Sequence, residues 1–79
     1  MNFYRIDLNL LVVFEVIYTK KNLTKAGEKL NISQPAVSNA LNRLREMFDD
    51  PLFVRTSQGM LPTLRAEELA DPIKKVLFD

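Results

Sequence analysis

The stretch NISQPAVSNALNRLRE, residues 31–46, joins a helix-capping signal to two contrasting helix faces. Ser33 is a preferred N-cap residue, and Pro35 falls in the first turn, where its missing N–H costs nothing. One face carries apolar residues at helical spacing and should pack inward: Val37, Leu41, Leu44 and Phe48. The opposite face starts with small or amide side chains instead of lysine and glutamate: Gln34, Pro35, Ser38, Asn39 and Asn42. The pattern predicts a helix over 33–48 whose exposed face is made for contact.

The residues before this helix predict a shorter helix that is joined to it by a tight turn. Asn22 can cap a helix over about 23–30, and Asn31 tolerates the left-handed backbone of the turn. Helices joined so closely cross steeply and need a small residue at their contact, such as Gly27. The inward positions of such a motif are all apolar here: Ala26, Leu30, Ile32, Val37 and Ala40. We predict a helix-turn-helix, with a helical bundle that serves only protein interaction as the alternative.

The exposed face of the 33–48 helix suits the major groove of DNA. Small residues near the helix start let the backbone approach base edges, and amides can pair with adenine or other edges. Ser33 and the free N–H groups of the first turn suit a phosphate. In the competing interpretation Ser33 is only a cap and the amides are only solvated.

Helices are also predicted near both ends of the chain. Asp7 can cap a helix over about 8–19, and Thr63 can cap one over about 64–78. Pro72 lies inside the latter and should kink it or weaken a hydrogen bond. The last helix has a broad apolar stripe: Ala66, Leu69, Ala70, Ile73, Val76 and Leu77. This stripe predicts an antiparallel homodimer, although it could instead cover the first helix within a monomer.

A single β-hairpin is predicted between the third helix and the last. LFVR (52–55) reads as a strand, MLP (60–62) as the return strand, and Gly59 is available for a positive φ. Alternation should turn at least one pair of residues toward the core: Leu52 with Val54, or Phe53 with Arg55. A wing of this kind commonly lies along the DNA backbone or tips into the minor groove, where Arg55 would reach. Arg55 as a plain surface charge is the alternative.

Composition excludes several classes of function. The 79 residues suffice for one small domain, and 47% hydrophobic residues indicate a folded core. Without cysteine or histidine, the chain has no disulfide, no thiol nucleophile, no zinc site built on those residues and no histidine base. Two glycines leave no Gly-rich phosphate loop. We expect no enzyme activity, no cofactor and no metal.

The net charge of +1 hides an uneven distribution. Residues 20–45 hold six basic side chains and one acidic side chain, a net +5, whereas residues 66–79 hold two basic and four acidic ones, a net −2. Solvated helix faces would explain this charge equally well. The most apolar run, LNLLVVFEVIY, is interrupted by Glu15 and resembles neither a membrane span nor a signal peptide. We expect a cytoplasmic protein.

Two segments carry a resemblance to a known family. NLTKAGEKLNISQPAVSNALNRLRE (22–46) and DPLFVRTSQGMLPT (50–63) closely resemble the N-terminal DNA-binding domain of LysR-type transcriptional regulators, most of all the branch of NahR, LeuO and NodD. The resemblance covers about residues 6–79. It implies a mainly α fold, with a winged helix-turn-helix over 1–62 and a linker helix over 63–79 that dimerises antiparallel. It also implies sequence-specific binding to a double-stranded DNA operator.

The resemblance further implies roles for individual residues. Six side chains would approach bases, with Arg55 in the minor groove: Gln34, Pro35, Ser38, Asn39, Asn42 and Arg55. Five would serve phosphates: Thr24, Lys25, Ser33, Arg43 and Thr56. Four would join the dimer: Leu69, Ile73, Val76 and Leu77.

Two departures from the family pattern bear on function. Many members have arginine where this chain has Asn39, so the base sequence read there should differ. The family also carries an effector domain after the linker helix, whereas this chain stops at Asp79. We expect an excised DNA-binding fragment rather than a natural short protein, with any small-molecule inducer bound by an effector domain outside it. Two other classes stay open: a protein-binding winged helix, and a membrane-surface module, which the acidic last helix disfavours.

Overall fold

The computed structural model describes residues 7–79, so the first six residues of the predicted 1–62 domain lie outside the described part. Within that part the chain forms four helices and one two-stranded antiparallel sheet. The mainly α winged helix-turn-helix is confirmed. In chain order the elements are α1 (Leu8–Lys20), α2 (Leu23–Leu30), α3 (Gln34–Phe48), β1 (Phe53–Thr56), β2 (Gly59–Pro62) and α4 (Leu64–Phe78).

Each helix begins at the predicted cap. The side chain of every N-cap residue accepts a hydrogen bond from a backbone N–H in the first turn, at 2.8–3.2 Å: Asp7, Asn22, Ser33 and Thr63. The first three helices end at a residue in the left-handed conformation: Lys21, Asn31 and Asp49. Local polar side chains therefore set the helix boundaries, since they satisfy the donors that a helix end leaves unpaired.

The core is centred on α1, which packs against α2, α3 and α4. Phe14 and Phe53 are fully buried with ring centroids 5.2 Å apart, so the wing is joined to the helical core by an aromatic contact. Of the α3 residues that were expected to face inward, only Phe48 is half-buried. The other three are fully or nearly fully buried: Val37, Leu41 and Leu44. The helical spacing of these residues thus predicted the inner face of α3 correctly, whereas Ile32 of the preceding turn, which was also expected to face inward, is 42% exposed.

The hairpin corrects one prediction. Leu52 and Phe53 are both buried, whereas Val54 and Arg55 are both exposed, so neither alternate pair faces the core. Leu52 has a φ of +63° and precedes the strand, so it lies outside the alternation that starts at Phe53. Gly59 has the expected positive φ, at +109°.

The last helix packs on α1 along only part of its apolar stripe. Three stripe residues are buried in this contact: Ala66, Ala70 and Ile73. Leu69 and Leu77 are half-buried, but Val76 is 60% exposed and Phe78 is 72% exposed. Pro72 lies inside the helix, where it cannot donate to the preceding turn. No helix within residues 7–79 is long and apolar enough to cross a membrane.

Candidate nucleic-acid interface

A close backbone approach sets the angle between α2 and α3. The Ile32 N–H donates to the Gly27 carbonyl at 2.9 Å, and a Cβ built on Gly27 would lie 2.7 Å from the Ile32 carbonyl oxygen. Any side chain there would push the turn away from α2. The predicted need for a small residue at the helix contact is thus confirmed, and this contact determines how α3 projects from the domain.

The outer face of α3 carries the polar residues that the sequence singled out. Pro35, Asn39 and Asn42 are exposed, whereas Gln34 and Ser38 are half-buried and joined by a hydrogen bond of 2.8 Å between Gln34 Nε2 and Ser38 Oγ. Short side chains leave the first turns of this helix open to a close neighbour. The face can offer both donors and acceptors, since amides and hydroxyls supply both.

Arg55 of the wing lies beside this face. It lines a cleft of about 200 Å³ together with Ser38, Asn42 and Arg45 of α3. It also lines a second cleft, of about 300 Å³, whose other polar residues include Lys21, Asn22, Thr24 and Gln34. The fold therefore brings the wing arginine and the polar face of α3 to the same side of the molecule.

The wing is attached to the turn between α1 and α2. The Met60 N–H donates to the Lys21 carbonyl at 2.9 Å, and a Cβ on Gly59 would lie only 2.5 Å from the same oxygen. Lys21 itself is in the left-handed conformation that ends α1. An isolated two-stranded hairpin is marginally stable, so this attachment helps to position the wing, together with the contact between Phe14 and Phe53.

Arg45 links α3 to the wing, a role that sequence reasoning did not identify. Its Nε donates to the Pro51 carbonyl and its Nη2 donates to the Phe53 carbonyl, both at 2.8 Å, while Nη1 donates to Asn42 Oδ1 at 3.2 Å. One available signal was a cation in the last turn of α3, where backbone carbonyls lack partners. Which carbonyls it reaches depends on the path of the loop, which the sequence does not disclose.

The five candidate phosphate ligands are all exposed: Thr24, Lys25, Ser33, Arg43 and Thr56. Two of them also hold local structure. Ser33 Oγ caps α3, and Thr56 Oγ1 donates to the Gly59 carbonyl at 2.9 Å and accepts from the Gln58 N–H. The candidate dimer residues lie apart from these, on α4, and Ile73 is only 4% exposed.

Comparison with known proteins identifies the family. Residues 8–67 match the family described as "Bacterial regulatory helix-turn-helix protein, lysR family". The chain belongs to the LysR family. It is a winged helix-turn-helix, DNA-binding domain of a LysR-type transcription regulator, as the two quoted segments had indicated.

Relatives within the LysR family are similar over nearly the whole chain. Nodulation protein D 2 of Bradyrhizobium sp. (strain NC92) is 49% identical over 79 residues, which are 100% of this chain and 23% of that protein. The transcriptional activator NahR of Pseudomonas putida is 51% identical over 72 residues, 91% of this chain and 24% of that protein. The predicted branch is consistent with these matches. The chain spans about a quarter of the length of these curated relatives.

A solved complex shares the fold. The DNA-binding domain of BenM, crystallised with catB site 1 DNA, superposes with a TM-score of 0.85 at 28% identity, covering 91% of this chain and 81% of that chain. NahR is named as a transcriptional activator, and the matching family is described as regulatory.

Proposed function

We propose that this domain binds an operator in double-stranded DNA with α3 in the major groove and the wing in the minor groove. The observation that carries the proposal is the polar outer face of α3 lying beside Arg55. Small and amide side chains can approach base edges closely, while an arginine suits a narrow minor groove. The BenM DNA-binding domain, which has the same fold, was crystallised on DNA, and this supports the proposal.

Base and phosphate contacts are divided between two sets of residues in this proposal. The base readers are Gln34, Pro35, Ser38, Asn39, Asn42 and Arg55. The phosphate ligands are Thr24, Lys25, Ser33, Arg43 and Thr56, of which Ser33 and Thr56 would act while holding their local hydrogen bonds. Affinity should fall steeply with salt, because phosphate neutralisation releases counterions. A protein-binding winged helix would show no such salt-dependent duplex binding.

Asn39→Ala tests the major-groove reader. The amide is exposed on the outer face of α3, so its loss is expected to cost about 1–3 kcal/mol on the preferred site and to relax preference at one or two base pairs. The measurement compares a selected duplex with a scrambled duplex at one salt concentration. Arg43→Ala is the matched control, which should weaken both duplexes alike. An equal loss on both duplexes for Asn39→Ala would show that Asn39 reads no base.

Arg55→Ala tests the minor-groove reader. The substitution should weaken sites with A·T-rich flanks by roughly 1–3 kcal/mol, because a narrow minor groove concentrates negative potential on the arginine. Changing the flanking A·T steps to G·C should reproduce the loss in the unmodified chain. Arg65→Ala removes another exposed cation, from α4, and serves as the control. If the loss from Arg55→Ala and the loss from the G·C replacement simply add when they are combined, Arg55 does not read the flank.

We further propose that the chain forms an antiparallel homodimer through α4. In this proposal residues 1–62 form the DNA-binding domain, and residues 63–79 form the linker segment that contains α4. At about 1.5 Å per residue the 15-residue helix is roughly 22 Å long. Val76 and Phe78 are exposed near its end, and Leu69 and Leu77 are half-buried. Ile73 would then act only by supporting this surface from the core, because it is buried against the rest of the chain.

Val76→Asp tests the dimer. A carboxylate at this 60%-exposed position stays hydrated in a monomer but would lose its water in an apolar interface. Sedimentation with and without a palindromic duplex should show a monomer for the variant and a dimer for the unmodified chain. Lys75→Asp changes charge at a neighbouring exposed position and is the control. A wild-type chain that binds DNA one copy at a time, without cooperativity, would contradict the dimer.

Regulation completes the proposal. In the relatives named above, about three quarters of each protein lies outside the matched segment. An effector domain in such a segment would bind a small-molecule inducer, and none of the residues described above is assigned to it. The domain itself would act in the cytoplasm, without catalysis or a cofactor.

A further inference from the structure

We infer that Arg45 is a positioning residue that makes Asn42 read DNA with its amide N–H donors, so that this position selects guanine over adenine. The inference rests on the proposed function, since it assigns a base preference to one residue of the proposed major-groove face. Asn42 is exposed on α3 and lines the cleft shared by α3 and Arg55.

The guanidinium of Arg45 is held by two backbone carbonyls in addition to its contact with Asn42. Nε and Nη2 donate to the Pro51 and Phe53 carbonyls, each at 2.8 Å; Pro51 lies in the loop after α3, and Phe53 is the first residue of β1. The remaining nitrogen, Nη1, lies 3.2 Å from Asn42 Oδ1. A planar group fixed at two points leaves little freedom for the third donor, so the contact with Asn42 has a defined direction.

The chemistry of arginine fixes which end of the amide faces it. A guanidinium carries only donors, so the amide oxygen must point toward Arg45 and the NH₂ group must point elsewhere. The neighbouring Gln34–Ser38 pair lacks this property, because a hydroxyl both donates and accepts and the pair can reverse. Asn42 is therefore the amide on this face whose orientation the structure determines through a donor-only partner.

This orientation disfavours the usual pairing of asparagine with adenine. That pairing needs the amide oxygen and the NH₂ group together on the N6 and N7 atoms of the base. The Asn42 oxygen keeps a second lone pair, but an adenine amino group that used it would lie beside the cationic Arg45. Guanine instead presents two adjacent acceptors, N7 and O6, which match the Asn42 NH₂ group and are attracted by the nearby cation.

Asn39 provides a contrast one turn earlier. Within residues 7–79 its amide takes part in no hydrogen bond, so both of its ends are free to face a base. Asn39 can therefore form the bidentate pair with adenine that is disfavoured at Asn42. Two asparagines three residues apart on the same helix would thus read different bases.

The test uses the 79-residue chain and a panel of duplexes in which every base pair of its selected site is replaced singly. Asn42→Ala identifies the position that Asn42 reads, as the one where discrimination is lost. The unmodified chain should prefer guanine there by about fivefold or more over adenine, the lower end for a good base contact. Any other preferred base at that position, or no position that depends on Asn42, would overturn the inference.

Arg45→Met tests the positioning role directly. The variant keeps an aliphatic stem but no donor, so the guanine-to-adenine ratio should fall toward one. Arg65→Met removes an exposed cation from α4, which carries none of the proposed base or phosphate readers, and should leave the ratio unchanged. A folded Arg45→Met chain with the original guanine-to-adenine ratio would overturn the role of Arg45. If the variant does not fold, the base preferred at the position that depends on Asn42 decides the inference. A wild-type chain that binds selected and scrambled duplexes equally would instead refute the proposed function itself.

Discussion

Gly59→Ala is expected to lower the free energy of unfolding by about 2–4 kcal/mol, combining a strained backbone with a steric overlap. The residue has a φ of +109°, which side-chain-bearing residues rarely adopt. Its new Cβ would also lie 2.5 Å from the Lys21 carbonyl oxygen, a backbone atom that cannot rotate away. Relief requires the wing to move off the α1–α2 turn, which would break the hydrogen bond between Met60 and Lys21.

Urea unfolding followed by circular dichroism measures this effect. Gln58→Ala is the matched control, because Gln58 is the exposed neighbour of Gly59 in the turn and its side chain makes no hydrogen bond within residues 7–79. Surface substitutions of that kind usually change stability by less than about 0.5 kcal/mol. Equal midpoints for the two variants would mean that the contact between Gly59 and Lys21 does not hold the wing.

Ile73→Asp is expected to unfold the domain outright or nearly so. Ile73 is 4% exposed and packs into the core cluster, so an aspartate there would bury an unpaired charge and leave a cavity, at a cost of about 4 kcal/mol or more. A chain of 79 residues has a total stability on the order of 4–12 kcal/mol. The substitution therefore consumes much or all of the available stability.

Thermal melting separates this effect from dimer disruption. Val76→Asp places the same charge three residues away, at a 60%-exposed site, and should retain a cooperative transition. If Ile73→Asp melted like the Val76 variant, Ile73 would belong to an interface and not to the core. The two variants thus distinguish the buried side of the α4 stripe from its exposed side.

Local signals made most of the fold predictable. Polar caps, a glycine at a crossing point and apolar residues at helical spacing act within a few residues of one another, so they can be recognised without the tertiary structure. The cap residues Asp7, Asn22, Ser33 and Thr63 and the turn residue Asn31 all behave as expected. The helix bounds follow from them to within about one residue.

Features that depend on contacts between distant segments could not be predicted in this way. Leu52 adopts a positive φ although leucine has no intrinsic preference for it. Its N–H donates locally to Asp50, but its carbonyl accepts from the Thr63 N–H across the hairpin, a contact that forms only once the hairpin has closed. Arg45 finds its carbonyl partners only after the loop has folded back. The stripe on α4 looks uniform in sequence, yet Ile73 is buried and Val76 is not, because α1 covers only one side of it. The base and phosphate roles of the α3 and wing residues remain predictions.

Because the wing is attached at Met60, the position of Arg55 and the length of the hairpin tip could change independently in evolution. Arg55 lies opposite Met60 in the hairpin, and the Met60 N–H is held by Lys21, so the arginine is placed by the end of α1 and not by the hairpin tip. Ser57 and Gln58 at the tip are exposed, and loop tips of this kind tolerate insertion well. Lineages could therefore lengthen the tip to gain new backbone contacts while the arginine keeps its place relative to α3.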